Sequence, residues 1–360
     1  MHLQAQQGLM HTYRQRWRTR GPSAYLMSAI LIGFYITLYW TDFFEQPAQQ
    51  LGLGNKWMLY GLLYSVFMII GGLYYLRHHG NSRYNQLRIA TNVTIQVLLG
   101  FTLPFIMPMF GHPAFYFSYF WPLKYDYLYP HTLQALPVYL AVYTVVGALV
   151  VAPALAIFTG KRWYCSWVCG CGALANTFGD PWRHLTSSTS QSWRFEKYAI
   201  HTVLFLAFTS TAMVGIGEML EFKAAWYAGL ASSVKSWYGF VVGLILAGVV
   251  GTGLYPVLGP RVWCRNFCPM AALLGITQKA GRFRIRVKKD MCISCGNCTT
   301  YCEMGIDVRS YAQSNQTFTR SSCVGCGMCA HVCPRGVLRL ESSWPQAADK
   351  VRQGIAAVDF

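Results

Sequence analysis

A chain of 360 residues that is 54% hydrophobic and only 12% charged is too apolar for an ordinary soluble domain. Its formal net charge of +17 could point to nucleic acid, but the basic residues flank long apolar runs. Contact with anionic lipid is therefore expected, and a nucleic-acid partner is not. A basic segment, residues 1–23 with Arg14, Arg16, Arg18 and Arg20, opens the chain. Six apolar stretches follow that are long enough to cross a hydrocarbon core as helices, at about 24–44, 57–76, 88–110, 133–158, 198–217 and 237–259. The first is too long for a secretory signal peptide and lacks a cleavage site. The expected fold class is a polytopic α-helical membrane protein, with a membrane domain over 24–281. Beyond it, Arg282 to Lys289 alternates Phe283, Ile285 and Val287 with basic residues as a strand does, and 337–340 reads as its partner. A small α+β domain is expected over 282–341, followed by a tail, 342–360, with no readable pattern.

Lys and Arg beside a span are retained on the cytoplasmic side. All of them lie in the N-terminal segment, the second and fourth connections or the region after Pro260, except Lys56, Lys124, Lys223 and Lys235. Both termini are therefore expected in the cytoplasm, where thiols stay reduced and disulfides are not expected.

The thirteen cysteines then read as ligands. Cys292, Cys295, Cys298 and Cys302 have the spacing C-x2-C-x2-C-x3-C, and Cys323, Cys326, Cys329 and Cys333 repeat it before Pro334. This is the pattern of two [4Fe–4S] clusters, in which the fourth cysteine of each run ligates the other cluster. Cluster one is expected on Cys292, Cys295, Cys298 and Cys333, and cluster two on Cys323, Cys326, Cys329 and Cys302. The domain over 282–341 is thus of the bacterial ferredoxin type. Paired zinc knuckles are the alternative, but zinc asks for well-separated pairs of ligands.

A second set is an internal repeat. Gly160-Lys161-Arg162-Trp163-Tyr164-Cys165 leads to Cys169, and Gly259-Pro260-Arg261-Val262-Trp263-Cys264 leads to Cys268; Ala173-Leu174 and Ala272-Leu273 continue the match. A pseudo-two-fold relation would bring Cys165, Cys169, Cys264 and Cys268 together around a third iron–sulfur cluster. Cys171 either replaces Cys169 as a ligand or is an inert neighbour, and simple packing of small apolar thiols is the alternative.

With two C-x3-C motifs at span ends and a two-cluster ferredoxin domain, the chain resembles the NapH and NosR group of membrane-bound polyferredoxins, which includes the cytochrome-oxidase accessory protein CcoG. The resemblance covers the chain from about residue 133 onward. Members usually read Cys-x3-Cys-Pro twice, whereas the first copy here continues with Gly170-Cys171; Glu303 stands where ferredoxins often place Pro. The resemblance implies a bacterial inner-membrane, quinol dehydrogenase-like subunit that passes electrons between the quinone pool and a respiratory partner. That partner would be an extracytoplasmic subunit with flavin, haem or reductase function. A copper reductase or oxidase-assembly factor, and a redox-sensing or structural subunit, are the rival readings.

Covalent haem is excluded by the lack of C-x-x-C-H. His112, His131 and His201 show no spacing that reads as an axial pair for b-type haem. The aromatic third outer connection, Gly111–Pro130, reads as an interface belt or as a quinone or flavin contact. Asp180, His184, Glu196 and His201 on the inner side, and Asp126 and His131 on the outer, are candidate proton acceptors. Met107, Met109 and His112 are the only hint of a metal-binding outer surface.

Overall fold

Among the described residues, six helices form where hydropathy demands them: Gly21–Trp40, Lys56–His79, Arg83–Phe110, Val138–Thr159, Ser190–Met219 and Trp226–Val250. At 1.5 Å per residue each reaches about 30 Å or more, the thickness of a hydrocarbon core. Only 17–33% of each apolar stretch is buried inside the protein. The outward faces carry exposed side chains such as Ile70, Leu73, Val150 and Phe205, which need lipid around them. The computed structural model describes residues 21–220 and 225–344, so the N-terminal arginines, Lys223 and most of the tail lie outside it.

Local chemistry sets the span ends. Asn55 caps the second span by accepting N–H bonds from Trp57 and Met58, and Arg77, His78 and His79 occupy its last turn, where the helix dipole favours positive charge. The fourth span begins at Val138, several residues after the expected start. Pro137 separates it from a short helix, Pro130–Ala135. The sixth begins about eleven residues earlier than expected and stops at Val250, before Gly251, Gly253 and Pro256. Lys235 accordingly lies within that helix and not in a connection, its ammonium 5.0 Å from the centre of the Tyr129 ring. The third and fourth spans contain π-helical turns, Gln96–Thr102 and Gly147–Val151. Each lies just before a proline, Pro104 or Pro153, whose ring would clash with the carbonyl four residues back in an unbroken α-helix.

The expected strand pair is present. β1, Phe283–Val287, and β2, Leu338–Ser342, are antiparallel, with Phe283 opposite Ser342 and Val287 opposite Leu338. With short helices, they form the α+β ferredoxin-like region. This region packs on the span ends that carry the basic connections. Tyr84 Oη donates to the Gly325 carbonyl at 2.7 Å, and Ser342 Oγ to the Phe158 carbonyl at 2.8 Å.

Two connections fold back into the bundle. The aromatic outer connection is no surface belt: Phe115, Phe120, Trp121, Tyr127 and Tyr129 are buried. It dips far enough for Tyr164 Oη to donate to the Ser118 carbonyl at 2.9 Å. From the opposite end, the helix Gly170–Asn176 rises beside the second span, where Thr177 Oγ1 meets Met68 Sδ at 3.2 Å. Irregular backbone at such depth is tolerable only inside protein or along a cavity. One apolar core runs from Phe120 through Cys165, Val203 and Cys268 to Phe283 and Leu338.

Candidate iron–sulfur centres

The ferredoxin-like region sorts its eight cysteines into two sets. Cys292, Cys295, Cys298 and Cys333 line one small cavity; Cys302, Cys323, Cys326 and Cys329 line another. The two runs match in detail, for Cys302 Sγ accepts from Ile306 N–H and Cys333 Sγ from Val337 N–H, both at 3.4 Å. Burial pushes the thiols of Cys298 and Cys323 up to about 11 and that of Cys302 up to about 12. Metal binding holds such groups as thiolates, with loss of protons on binding. No three His, Cys, Asp or Glu side chains among the described residues converge as a single ion needs. A zinc knuckle draws its sulfurs to about 2.3 Å of one point, whereas a cubane spreads four cysteines over separate corners. The donor sets therefore fit clusters.

The C-x3-C repeat is structural as well as sequential. Gly160 and Gly259 share an unusual backbone, φ 76° and ψ 169° against φ 94° and ψ 165°, which only glycine adopts without strain. A short helix follows each, Arg162–Cys165 and Val262–Asn266. Cys169 N–H then donates to the Tyr164 carbonyl at 2.7 Å, as Cys268 N–H does to Trp263 at 3.0 Å. Cys165, Cys169, Cys264 and Cys268 are all buried, within one core. Burial pushes Cys165 up to about 12 and Cys264 and Cys268 upward as well. A hydrogen bond from the Cys171 thiol brings Cys169 down to about 7 and raises Cys171 itself. The buried indole N–H groups of Trp163 and Trp263 have no hydrogen-bond partner among the described residues.

A cavity of about 480 Å³ opens beside this set. It extends from Trp57 and Lys124, at the end of the bundle away from the ferredoxin-like region, to Cys171, and Tyr64, Gln96 and Tyr119 wall it. Gln96, fully buried in the π-turn of the third span, donates to the Val168 carbonyl, and its Oε1 lies 3.3 Å from Tyr64 Oη, which donates its proton to the Gly170 carbonyl at 2.8 Å. Both residues escape a motif-based reading. The available signal was an amide in the middle of an apolar span.

Glu303 is the other residue whose surroundings the sequence does not disclose. It is fully buried between Arg261, whose Nη2 donates to Oε1 at 3.0 Å, and Arg183, whose Nη1 lies 3.0 Å from Oε2 without hydrogen-bond alignment. Burial alone would raise its carboxyl, but Arg183, Arg261 and Arg88 hold it below the usual range.

The remaining candidates are mostly tied up. Asp180 binds Arg183 at 3.0 Å and His79 at 3.3 Å; Glu196 binds Arg265 at 2.6 Å and also Ser322. Asp126 pairs with Lys124, and His131 with Glu218. His201 lines a small cavity with Cys264 and Lys161. The outer set is not gathered: Met107 packs with Phe115, Met109 faces outward and His112 meets Tyr139 at 3.2 Å.

Buried ligand-type cysteines joined to a six-helix membrane body define an iron–sulfur electron-transfer protein of the membrane. Comparison with known proteins agrees. A 4Fe-4S dicluster domain family matches residues 285–340, and a 4Fe-4S binding domain family matches residues 140–186 and 238–288, the two halves of the repeat. The "Putative electron transport protein YccM" of Escherichia coli (strain K12) is 25% identical over 158 residues, which cover 42% of this chain. The match spans 44% of that relative, less than half its length. No solved structure matches.

Proposed function

We propose that this chain relays single electrons between a quinone in the bacterial inner membrane and a respiratory partner, as a quinol dehydrogenase-like subunit of the NapH and NosR type. In this reading Cys292, Cys295, Cys298 and Cys333 hold one [4Fe–4S] cluster, and Cys302, Cys323, Cys326 and Cys329 a second. Cys165, Cys169, Cys264 and Cys268 hold a third at the cytoplasmic interface. Clusters of this kind supply reversible one-electron transfer over a wide range of potentials. The observation that carries the proposal is the position of the four buried thiols, between the ferredoxin-like region and the aromatic cavity. Tyr64, Gln96 and Tyr119 offer polar groups on a mostly apolar wall, as a quinone head group needs. The basic connections support a cytoplasmic position for both termini. The partner would be an extracytoplasmic subunit bearing flavin, haem or reductase function.

The test is Cys268→Ser, since a hydroxyl is a poorer ligand for iron than thiolate. Wild-type protein purified anaerobically should hold about 12 iron and 12 acid-labile sulfide per chain, and the variant about 8, at four per cubane. Dithionite should still reduce the ferredoxin clusters of the variant while quinol no longer exchanges electrons with them. Wild-type exchange in Cys268→Ser would overturn the route.

A further inference from the structure

A carboxylate that no ligand pattern calls for joins the ferredoxin-like region to the C-x3-C pair. Glu303 directly follows Cys302 and lies between two arginines, and each of these also reaches a cysteine sulfur. Arg183 Nη1 lies 3.9 Å from Cys326 Sγ, in the second ferredoxin set. Arg261 Nη1 lies 3.6 Å from Cys264 Sγ, in the interface set, and 3.3 Å from the Cys165 carbonyl oxygen. Both guanidiniums have a further partner as well. Arg183 Nε donates to Asp180 at 3.0 Å, and Arg261 Nη2 to Asn176 Oδ1 at 2.7 Å. Arg183, Arg261 and Glu303 are at most 2% exposed.

Stability does not account for this arrangement. Taking charges out of water is costly, and an apolar set of similar volume commonly packs as well or better. What the network achieves is to fix one positive group on a ligand sulfur of each of two centres, with a single carboxylate as their common counter-charge. Hydrogen bonds to sulfur and local net charge are the levers by which a protein sets a cluster's potential. A cluster gains negative charge on reduction, so a guanidinium at its sulfur raises the potential and a carboxylate nearby lowers it.

We propose that Glu303 sets the potentials of the second ferredoxin cluster and the interface cluster jointly, as the negative counter-charge shared by Arg183 at Cys326 and Arg261 at Cys264. The two centres are thereby kept in step for transfer between them. The interface half of this inference rests on the reading that Cys165, Cys169, Cys264 and Cys268 bind a cluster; the half at Cys326 does not.

The experiment is a redox titration of the full-length chain, followed by electron paramagnetic resonance, on wild type and four variants. Glu303→Gln removes the charge but keeps an oxygen for one guanidinium. It should raise both centres by about tenfold or more in the reduction equilibrium, about 59 mV for one electron, and leave the cluster at Cys292, Cys295, Cys298 and Cys333 unmoved. Arg183→Gln should lower the second cluster alone, and Arg261→Gln the interface cluster alone. Glu303→Asp, which keeps the charge, should return both toward wild type. The proposal is overturned if Glu303→Gln moves no centre, one centre only, or all three alike. Should that variant fail to assemble, the two arginine variants decide, and absence of their centre-specific lowering sinks the idea. A wild-type iron count near 8 would instead remove the interface cluster itself, leaving the Cys326 half to stand or fall on Arg183→Gln.

Discussion

Gly172 is where the first C-x3-C motif is packed most tightly, and enlarging it gives a sharp test of the shared site. A Cβ on Gly172 would stand 3.0 Å from the carbonyl carbon of Cys165, closer still to its oxygen, and 3.2 Å from Arg261 Nη1. The obstacle is backbone and cannot rotate away. The added methyl also wedges between Cys165 and the arginine that ties it to the second motif. Forcing a methyl into a packed interior costs about 1–3 kcal/mol, and every 1.4 kcal/mol is about tenfold in an equilibrium. Gly172→Ala should therefore lower occupancy of the interface site by about one to two orders of magnitude when iron is limiting. Iron per chain would fall from about 12 toward 8, while both ferredoxin clusters keep their paramagnetic signals. Gly33→Ala is the control, since a Cβ there meets nothing within 4 Å. Full wild-type iron in Gly172→Ala would refute the argument that this close approach shapes a metal site.

Topology is open to a direct check: reporters fused after residue 360 and near 180 should behave as cytoplasmic, and one at Gly111 as extracytoplasmic, with the reverse pattern removing the basis of the orientation. In Gln96→Leu, the Val168 carbonyl loses its donor. A buried polar group left so costs about 1–3 kcal/mol, seen as a lower thermal midpoint in detergent, and an unchanged midpoint would show that the bond contributes nothing.

Long-period signals were legible in the sequence and long-range contacts were not. Hydropathy located the spans because each apolar stretch must face lipid over most of its surface, and the ferredoxin spacing is dictated by the reach of one chain around a cluster. Phe283, Ile285 and Val287 announced β1 by alternation. The boundaries moved where a breaker acted, at Pro137 and ahead of Gly251. The fate of the outer connection could not be read, because a cluster such as Phe115, Tyr116 and Phe117 has the same composition in a surface belt as in a buried plug. The π-turns of the third and fourth spans leave no residue signature beyond the prolines after them. Glu303 could be seen to replace a common Pro, but its partners lie 42 residues back at Arg261 and farther at Arg183. Only the fold brings them together.

The continuous core from Phe120 to Leu338 has a mechanical consequence. The ferredoxin-like region is no head on a tether, for Gln278 Nε2 donates to the carbonyls of Arg320 and Cys323, at 2.9 and 3.1 Å, and Tyr84 holds Gly325. Swinging it away would expose Phe283, which packs against Gly160 and Arg162 at the end of the fourth span, at a cost of about 1.5–3 kcal/mol for a large apolar side chain. In the proposed relay, electrons would therefore pass between the centres across fixed gaps, with no shuttling motion to gate them, and solvent viscosity would have no hold on the rate.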